Sequence, residues 1–111
     1  MDGVTLLPAD RYVVINKTIL TDADRKYLIS FYEPIIGHLA ISLYLILIND
    51  LEESKGVSRD FTHHHLMSLL KTPLKILKEA REALEATGLL KTYFMKYIHH
   101  YLRVNFLIIQ F

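Results

Sequence analysis

Hydrophobic residues follow a helical period along most of this chain and a strand-like pattern near its two ends. Residues 12–15 contain two valines and an isoleucine, which favour a short strand or an extended arm. Over residues 22–33 the apolar positions fall on one half of a helical wheel. Thr21 is placed to cap this helix, and Pro34 is expected to end it, because proline disfavours the helical conformation of the residue before it. The apolar half of the wheel contains Ala23, Tyr27, Leu28, Phe31 and Tyr32.

A second helix is predicted over residues 38–53, and it is apolar on most sides. Its polar side chains share one narrow sector of the wheel, and Leu45 lies among them. A helix with an apolar surface this wide requires burial on most sides. We therefore expect it at the centre of the domain, or partly against a second subunit.

The second half of the chain predicts two further helices. Thr62 is expected to cap a short helix that ends near Leu70. Thr72 is expected to cap the next one, with Pro73 at its first position, where the missing amide hydrogen costs nothing. Gly88 should end this helix, since glycine tolerates the left-handed conformation.

Strands predicted over residues 89–94 and 101–111 complete the order strand, four helices, two strands. This order is typical of a winged helix, a mainly α domain with a small β component, here with an N-terminal arm and a C-terminal β-hairpin. Residues 73–87 would hold the recognition position and the hairpin around residues 95–100 would form the wing. Helix-helix-hairpin arrangements also occur in domains that never touch DNA, so the fold leaves the function open.

Composition indicates one globular domain. The chain has 111 residues, 51% of them hydrophobic, and no cysteine. A chain of this size can bury one core without disulfide bonds or a structural metal ion. The composition excludes disordered, collagen-like and disulfide-rich proteins. The lack of cysteine also excludes thiol nucleophiles and zinc-thiolate sites. We assign residues 1–20 to an N-terminal arm with a short strand and residues 21–111 to a winged-helix-like domain.

Charge is spread unevenly, although the formal net charge is only +1. Residues 1–60 carry nine acids and six bases, whereas residues 61–111 carry three acids and seven bases. The asymmetry indicates a basic face, or else the two halves mix their charges over one surface. The longest uncharged run, residues 34–49, is shorter than a membrane span, and the acidic start at Asp2 does not resemble a signal peptide. We expect a cytoplasmic protein without a membrane span.

Several short strings occur in a fixed order: residues 6–14, 20–25, 32–37, 40–44, 50–52 and 85–91. The most specific part is Tyr-Glu-Pro-Ile-Ile-Gly at residues 32–37, followed by Leu-Tyr and then Asp-Leu-Glu. Together the strings resemble the N-terminal domain of the replication initiation and membrane attachment proteins of Gram-positive bacteria, the DnaB/DnaD-type helicase co-loaders. Residues 97–111 depart from the family's pattern.

The resemblance implies a non-enzymatic oligomerisation and scaffold domain that acts in replication initiation or restart. The partners it implies are copies of the same chain, as a dimer or tetramer, together with other primosome and helicase-loader proteins. It also implies association with the nucleoid, and with membranes only through partners. The alternative function is that of a small winged-helix transcriptional regulator that binds DNA.

DNA binding is the first candidate activity of the residues themselves. Six cations lie around the predicted recognition helix and wing, where they could neutralise phosphates. Three glutamates, Glu79, Glu82 and Glu85, share the same helix and would repel a phosphate backbone, so we expect weak affinity. The six candidate residues are Lys71, Lys75, Lys78, Arg81, Lys91 and Lys96.

Self-association is the second and stronger candidate. The apolar second helix, the N-terminal strand and the C-terminal run offer more apolar surface than a small domain readily hides. The alternative is a compact core with the C-terminal strand as its last member. The candidate residues are Tyr12, Val14, Leu45, Leu102, Val104, Phe106 and Ile108.

No catalytic residue, metal or cofactor is predicted. His63, His64 and His65 are consecutive on a helix and point about 100° apart, so they cannot converge on one ion without a further pair such as residues 99–100. The chain contains no phosphate-binding glycine loop and no His-Glu-x-x-His motif.

Overall fold

The computed structural model describes residues 6–16, 20–51, 56–96 and 103–111. The predicted class is confirmed, because these residues form a set of helices, a small sheet and a C-terminal hairpin. In chain order the elements are β1 (Arg11–Ile15), α1 (Asp22–Tyr27), a π-helical turn (Leu28–Tyr32), α2 (Glu33–Ile36), α3 (His38–Leu51), β2 (Phe61–Thr62), α4 (His63–Leu70), α5 (Leu74–Ala86), β3 (Leu90–Lys96) and β4 (Arg103–Ile109).

The sheet joins the two ends of the chain. Its strand order is β2-β1-β4-β3, and β1 runs parallel to β4, with Arg11 opposite Val104 and Ile15 opposite Ile108. Strands β3 and β4 form an antiparallel hairpin over seven residues each. The predicted hairpin is thus confirmed, while its tip, residues 97–102, lies outside the described residues.

The first predicted helix continues through Pro34 instead of ending before it. Helical conformation is unbroken over residues 22–36. The amide of Glu33 donates to the carbonyl of Leu28, five residues earlier, so the turn before Pro34 is wider than an α turn. The wider turn leaves room for the proline ring, which would collide with a carbonyl in a regular helix. The prediction that Pro34 ends the helix is therefore wrong, and Gly37, at φ 91°, ends it instead.

Helix α3 lies at the centre of the core, as its apolar circumference predicts. It packs against β1, α4, α5 and the π-helical turn. Tyr44 on this helix has no exposed surface, and its hydroxyl donates a hydrogen bond of 2.8 Å to the carbonyl of Leu89. Burial raises the pKa of Tyr44 above its usual range. Residues 52–55, the predicted end of the helix, lie outside the described residues.

Two of the predicted helix ends are confirmed. The Thr21 hydroxyl accepts a hydrogen bond of 3.1 Å from the amide of Asp24, and the Asp24 carboxylate accepts one of 2.9 Å from the amide of Thr21. This reciprocal pair is a capping box. Gly88 follows α5 with φ 78°, the left-handed conformation for which glycine is suited.

Two other helix starts differ from the prediction. Thr62 stands at the start of α4 with an extended backbone, but its side chain makes no capping hydrogen bond. Helix α5 begins at Leu74, and Pro73 occupies the cap position that was predicted for Thr72. Proline serves here because its carbonyl accepts the first helical bond, from Leu77 at 3.1 Å, while it has no amide hydrogen to satisfy.

Candidate interaction surface

The sheet has two different faces, because successive side chains along a strand point to opposite sides. On the inner face, Tyr12, Val14 and Leu107 are at most 1% exposed and belong to the core. The alternate residues of the same strands form the other face, and Val57 extends it through a bridge to Ile15. We call the exposed and half-buried apolar residues on this side the outer sheet face: Val13, Ile15, Val57, Tyr93, Met95, Phe106 and Ile108.

The outer sheet face is not part of the core. The core cluster contains inner residues of β1, β3 and β4, and among the described residues it includes none of the seven that define the outer face. Val57 is 53% exposed, Tyr93 49% and Met95 41%. Two cations, Arg11 and Lys91, point to the same side, and the nine outward positions of β1, β3 and β4 contain no acid. The sheet thus carries an apolar surface that no described helix covers.

The candidates for self-association fall on both faces. Phe106 and Ile108 are half-buried on the outer sheet face, next to Tyr93 across the β3–β4 ladder. Tyr12 and Val14 have no exposed surface, because strand alternation turns them towards α3. The structure therefore places these two residues in the core and not on a contact surface.

The other three candidates for self-association lie elsewhere. Val104 is on the outward side of β4 but is only 6% exposed. Leu45 on α3 is half-buried and packs against the core cluster. Leu102 lies outside the described residues. The remaining accessible candidates are therefore Phe106 and Ile108.

Four of the candidates for DNA binding are wholly or partly exposed and are spread over two sides of the molecule. Lys71 is exposed in the left-handed turn between α4 and α5, Lys75 is exposed on α5, and Lys78 is half-buried. Lys91 lies on the outward side of β3, with its Nζ 5.2 Å from the centroid of the Tyr93 ring. The structure does not gather these cations into one groove. Lys96 is the last residue of β3, and its side chain lies outside the described part of the chain.

Arg81, the remaining candidate for DNA binding, points into the molecule. Its side chain is 4% exposed, its Nη1 lies 3.1 Å from Nε2 of His63, and it donates a hydrogen bond of 3.3 Å to the Asn105 amide oxygen. Its Nε lies 3.8 Å from the Glu85 carboxylate, one turn along α5. Burial lowers the pKa of Arg81, and Glu85 opposes that shift. The guanidinium therefore links α5 to α4 and β4, and a phosphate could not reach it in this fold.

His63 is the neutral member of this buried group. Its Nδ1 lies 2.6 Å from the carbonyl oxygen of Asp10, so Nδ1 carries the hydrogen, and Nε2 accepts from Arg81. Burial lowers the pKa of His63 to about 4, and the nearby Arg81 charge contributes in the same direction. The sequence pattern places His63 at a helix start but gives no sign of these contacts, which join residues 18 and 53 positions apart.

Asp10 ties the N-terminal segment to the same group. Its carboxylate is 2% exposed and accepts hydrogen bonds from Arg103 at 2.6 and 3.2 Å and from the amide of Leu7 at 2.8 Å. The partners Asp10 and Arg103 are 93 positions apart. This pair fixes the start of β1 against the start of β4.

The three consecutive histidines diverge, as their helical spacing predicts. His63 is buried, His64 is exposed, and His65 stacks on Phe61 with ring centroids 4.6 Å apart. Nε2 of His65 also lies 3.6 Å from a carboxylate oxygen of Asp50. The described residues contain no group of three or more side chains placed to hold a metal ion. Residues 99–100 lie outside the description.

A second apolar surface lies on the first helical segment and was missed by the wheel. Leu28 is fully buried, whereas Tyr27 and Phe31, assigned to the same half of the wheel, are 48% and 46% exposed. Their rings stack with centroids 4.9 Å apart, and Phe111 lies 6.5 Å from Tyr27. The π-helical turn changes the angular spacing, so a regular wheel does not predict which residues of this segment face the core.

No helix within the described residues is both long and apolar enough to cross a membrane.

Comparison with known proteins gives one consistent result. The model of the DnaB N-terminal winged helix domain matches residues 6–105. The replicative helicase loading/DNA remodeling protein DnaB of Staphylococcus aureus is 31% identical over 88 residues, which are 79% of this chain and 19% of that protein. The crystal structure of residues 1–300 of primosome protein DnaB from Geobacillus stearothermophilus superposes with a TM-score of 0.86 and 34% identity, covering 96% of this chain and 39% of that one. The family resemblance read from the sequence strings is confirmed.

Proposed function

Because this chain belongs to the DnaB N-terminal winged helix domain family, we propose that it is a non-enzymatic oligomerisation and scaffold domain of a replication initiation protein. Its role would be to bring copies of that protein together during helicase loading. The observation that carries this proposal is the uncovered outer sheet face.

The outer sheet face supports self-association for an energetic reason. Apolar side chains on one side of a sheet are normally covered by a second layer, and burial contributes about 25 cal/mol per Å² of apolar surface removed from water. Large exposed apolar patches on soluble domains mark contact surfaces. A second copy of the chain is the partner always present at the same concentration, so it is the first partner we propose.

The names of the two relatives support the replication setting. One is described as a helicase loading and DNA remodeling protein and the other as a primosome protein. This chain spans 19% of the first and 39% of the second, both of which are much longer. We propose that the winged-helix domain supplies the assembly contact, and that other primosome and helicase-loader proteins are its further partners.

The exposed side of α5 favours a scaffold over a transcriptional regulator. A regulator of the winged-helix type would read bases with this helix. Here the exposed Lys75 is accompanied by the exposed Glu79 and Glu82, and Arg81 is buried. Acidic side chains facing the phosphates would oppose binding, because phosphate contacts supply most of the affinity for DNA.

Sedimentation equilibrium tests the proposal. We expect the unmodified chain to form dimers or tetramers at concentrations on the order of tens of micromolar. Phe106→Glu should weaken association at least about tenfold, because it would bury an unpaired charge in the contact. Leu69→Glu is the matched control, since Leu69 is 53% exposed on α4, away from the outer sheet face, and should leave association unchanged.

Circular dichroism of both variants shows whether they are folded. A monomer of the unmodified chain across the whole concentration range would contradict the proposal. Equal weakening by Phe106→Glu and Leu69→Glu would remove the outer sheet face as the contact.

A further inference from the structure

Strand β3 is an open edge of the sheet. Among the described strands it pairs with β4 on one side and with none on the other. Alternate amides and carbonyls of its backbone therefore point away from the sheet, where another strand can pair with them. Natural edges are usually blocked by proline, a bulge or an inward-pointing charge. Residues 90–95 contain no proline, their pairing with β4 is continuous, and their one charge, Lys91, points outward.

The sequence of β3 is self-complementary about Tyr93. Two antiparallel copies of Leu90–Lys96 overlap over all seven residues only when Tyr93 of each lies opposite Tyr93 of the other. This register also places Lys91 opposite Met95 of the second copy, at two equivalent positions, so no lysine faces a lysine. Aromatic pairs directly opposite one another stabilise a sheet, whereas like charges destabilise it.

The two faces of the sheet exclude a shift of this register by one residue. Tyr93 and Met95 point outward, while Leu90 is buried on the inner side. A slip by one residue would place outward residues of one copy opposite inward residues of the other. With Tyr93 at the centre, the outer sheet faces of both copies lie on the same side, and the helices of both lie on the other.

We infer that a second copy of this chain pairs with β3 in this antiparallel register, so that two four-stranded sheets become one continuous sheet across a two-fold axis. The inference rests on the proposed self-association and adds a second contact, at the sheet edge, to the one proposed at the outer sheet face. The contact covers Tyr93 and Met95, which are 49% and 41% exposed in the single chain. Each copy contributes the same strand, so the contact closes as a dimer.

Disulfide trapping tests the register, because the chain has no cysteine of its own. In the inferred dimer the two Tyr93 positions lie opposite each other, with Cβ atoms about 5 Å apart. Mild oxidation of Tyr93→Cys should therefore convert most of the chain into a covalent dimer on a non-reducing gel. Leu69→Cys is the control, since its position on α4 is 53% exposed, close to the value for Tyr93, but lies away from the edge.

A mixing experiment tests the register independently of the central residue. Lys91→Cys alone and Met95→Cys alone should give little covalent dimer, because like positions lie roughly 13 Å apart along the strands in this register. An equimolar mixture of the two variants should give a covalent dimer in good yield. Dimer formation by each variant alone, with none added by mixing, would overturn the register.

Amide hydrogen exchange on the unmodified chain tests the β3 contact without a substitution, so its result does not depend on whether a cysteine disturbs the edge strand. Exchange of the β3 amides should slow several-fold as the concentration is raised through the association range, while exchange of the exposed end of α4 stays constant. If sedimentation shows association but β3 exchange is independent of concentration and Tyr93→Cys does not cross-link, this inference fails and the proposed function stands. If the unmodified chain is a monomer throughout, both fail.

Discussion

His63 has both ring nitrogens in use inside the protein. Nδ1 donates to the Asp10 carbonyl, and Nε2 faces the N–H groups of the buried Arg81 guanidinium. Burial of the ring lowers the pKa of His63 to about 4, and the positive charge of Arg81, against which a proton on Nε2 would lie, acts in the same direction. In the unfolded chain this pKa is near 6.5. As the pH falls from 6.5 to 4, the unfolded chain gains a proton that the folded chain does not.

We therefore expect His63 to make the free energy of unfolding fall as the pH is lowered through this window, by on the order of 3 kcal/mol in total. Urea denaturation at several values between about pH 7 and about pH 4 measures the slope. His63→Gln should flatten that slope relative to the unmodified chain. His64→Gln, at an exposed position, should leave it unchanged. An unchanged slope in His63→Gln would contradict the assignment.

The two arginines that pair with aspartates near β1 differ in burial, and this sets their contribution to stability. Arg103 pairs with Asp10, whose side chain is 2% exposed, whereas Arg11 pairs with Asp60 at 3.0 Å with both side chains about half exposed. We expect Arg103→Ala to lower the free energy of unfolding by about 2 kcal/mol, because it leaves a buried carboxylate without its cation. Arg11→Ala should lower it by less than about 0.5 kcal/mol. Chemical denaturation of both variants measures the two losses of free energy of unfolding. Equal losses would contradict the expected dependence on burial.

At the scale of single elements, α5 has the length and position of a recognition helix but not the charge. Its exposed Lys75 and half-buried Lys78 are spaced to pair with Glu79 and Glu82 along the helix. We expect the double variant Lys75→Ala/Lys78→Ala to bind DNA as weakly as the unmodified chain, within about twofold, in mobility-shift titrations at low and moderate salt. A loss of more than about tenfold would identify α5 as a DNA-binding surface.

The helices were predictable from the sequence because their signals are local. The period of α3 and α5, the capping box at Thr21 and the stop at Gly88 all depend on neighbours within a few residues. The π-helical turn before Pro34 was not predictable in the same way. Apolar periodicity is nearly the same for an α and a π turn over five residues, so the sequence pattern predicts that the helix ends at the proline.

The strands were predictable, but their faces were not. Residues 12–15 and 106–109 are all apolar, so alternation gives two sets of residues without showing which set points inward. The choice is made by β1 pairing with β4, a contact between opposite ends of the chain. The sequence pattern therefore predicts a contact surface at Tyr12 and Val14, whereas the outward residues of β1 are Val13 and Ile15. Two partners of Arg81, His63 and Asn105, were hidden for the same reason, because they come from other elements.

At the scale of the whole molecule, the helices within the described residues pack against one face of the sheet and leave the outer sheet face without a second layer. Domains are usually built from layers packed around a core. An apolar sheet face without a second layer therefore lacks the element that would normally cover it. The proposed dimer extends this sheet sideways and leaves the merged outer faces of the two copies on one side. That side is the larger apolar surface on which the contact proposed for the outer sheet face would lie.

The parallel pairing of β1 with β4 also has a consequence for the time course of folding. Residues 11–15 reach their hydrogen-bonding partners only when residues 104–108 are present, because Arg11 pairs with Val104 and Ile15 with Ile108. Pairing between such distant segments must overcome the entropy of closing a long loop, and domains dominated by distant contacts fold more slowly than helical ones. The helices can form early, because their contacts are local. Strand β1 stays unpaired during this time, and its apolar side chains are exposed to water. The apolar residues of β1 therefore stay open to aggregation until β1 pairs with β4.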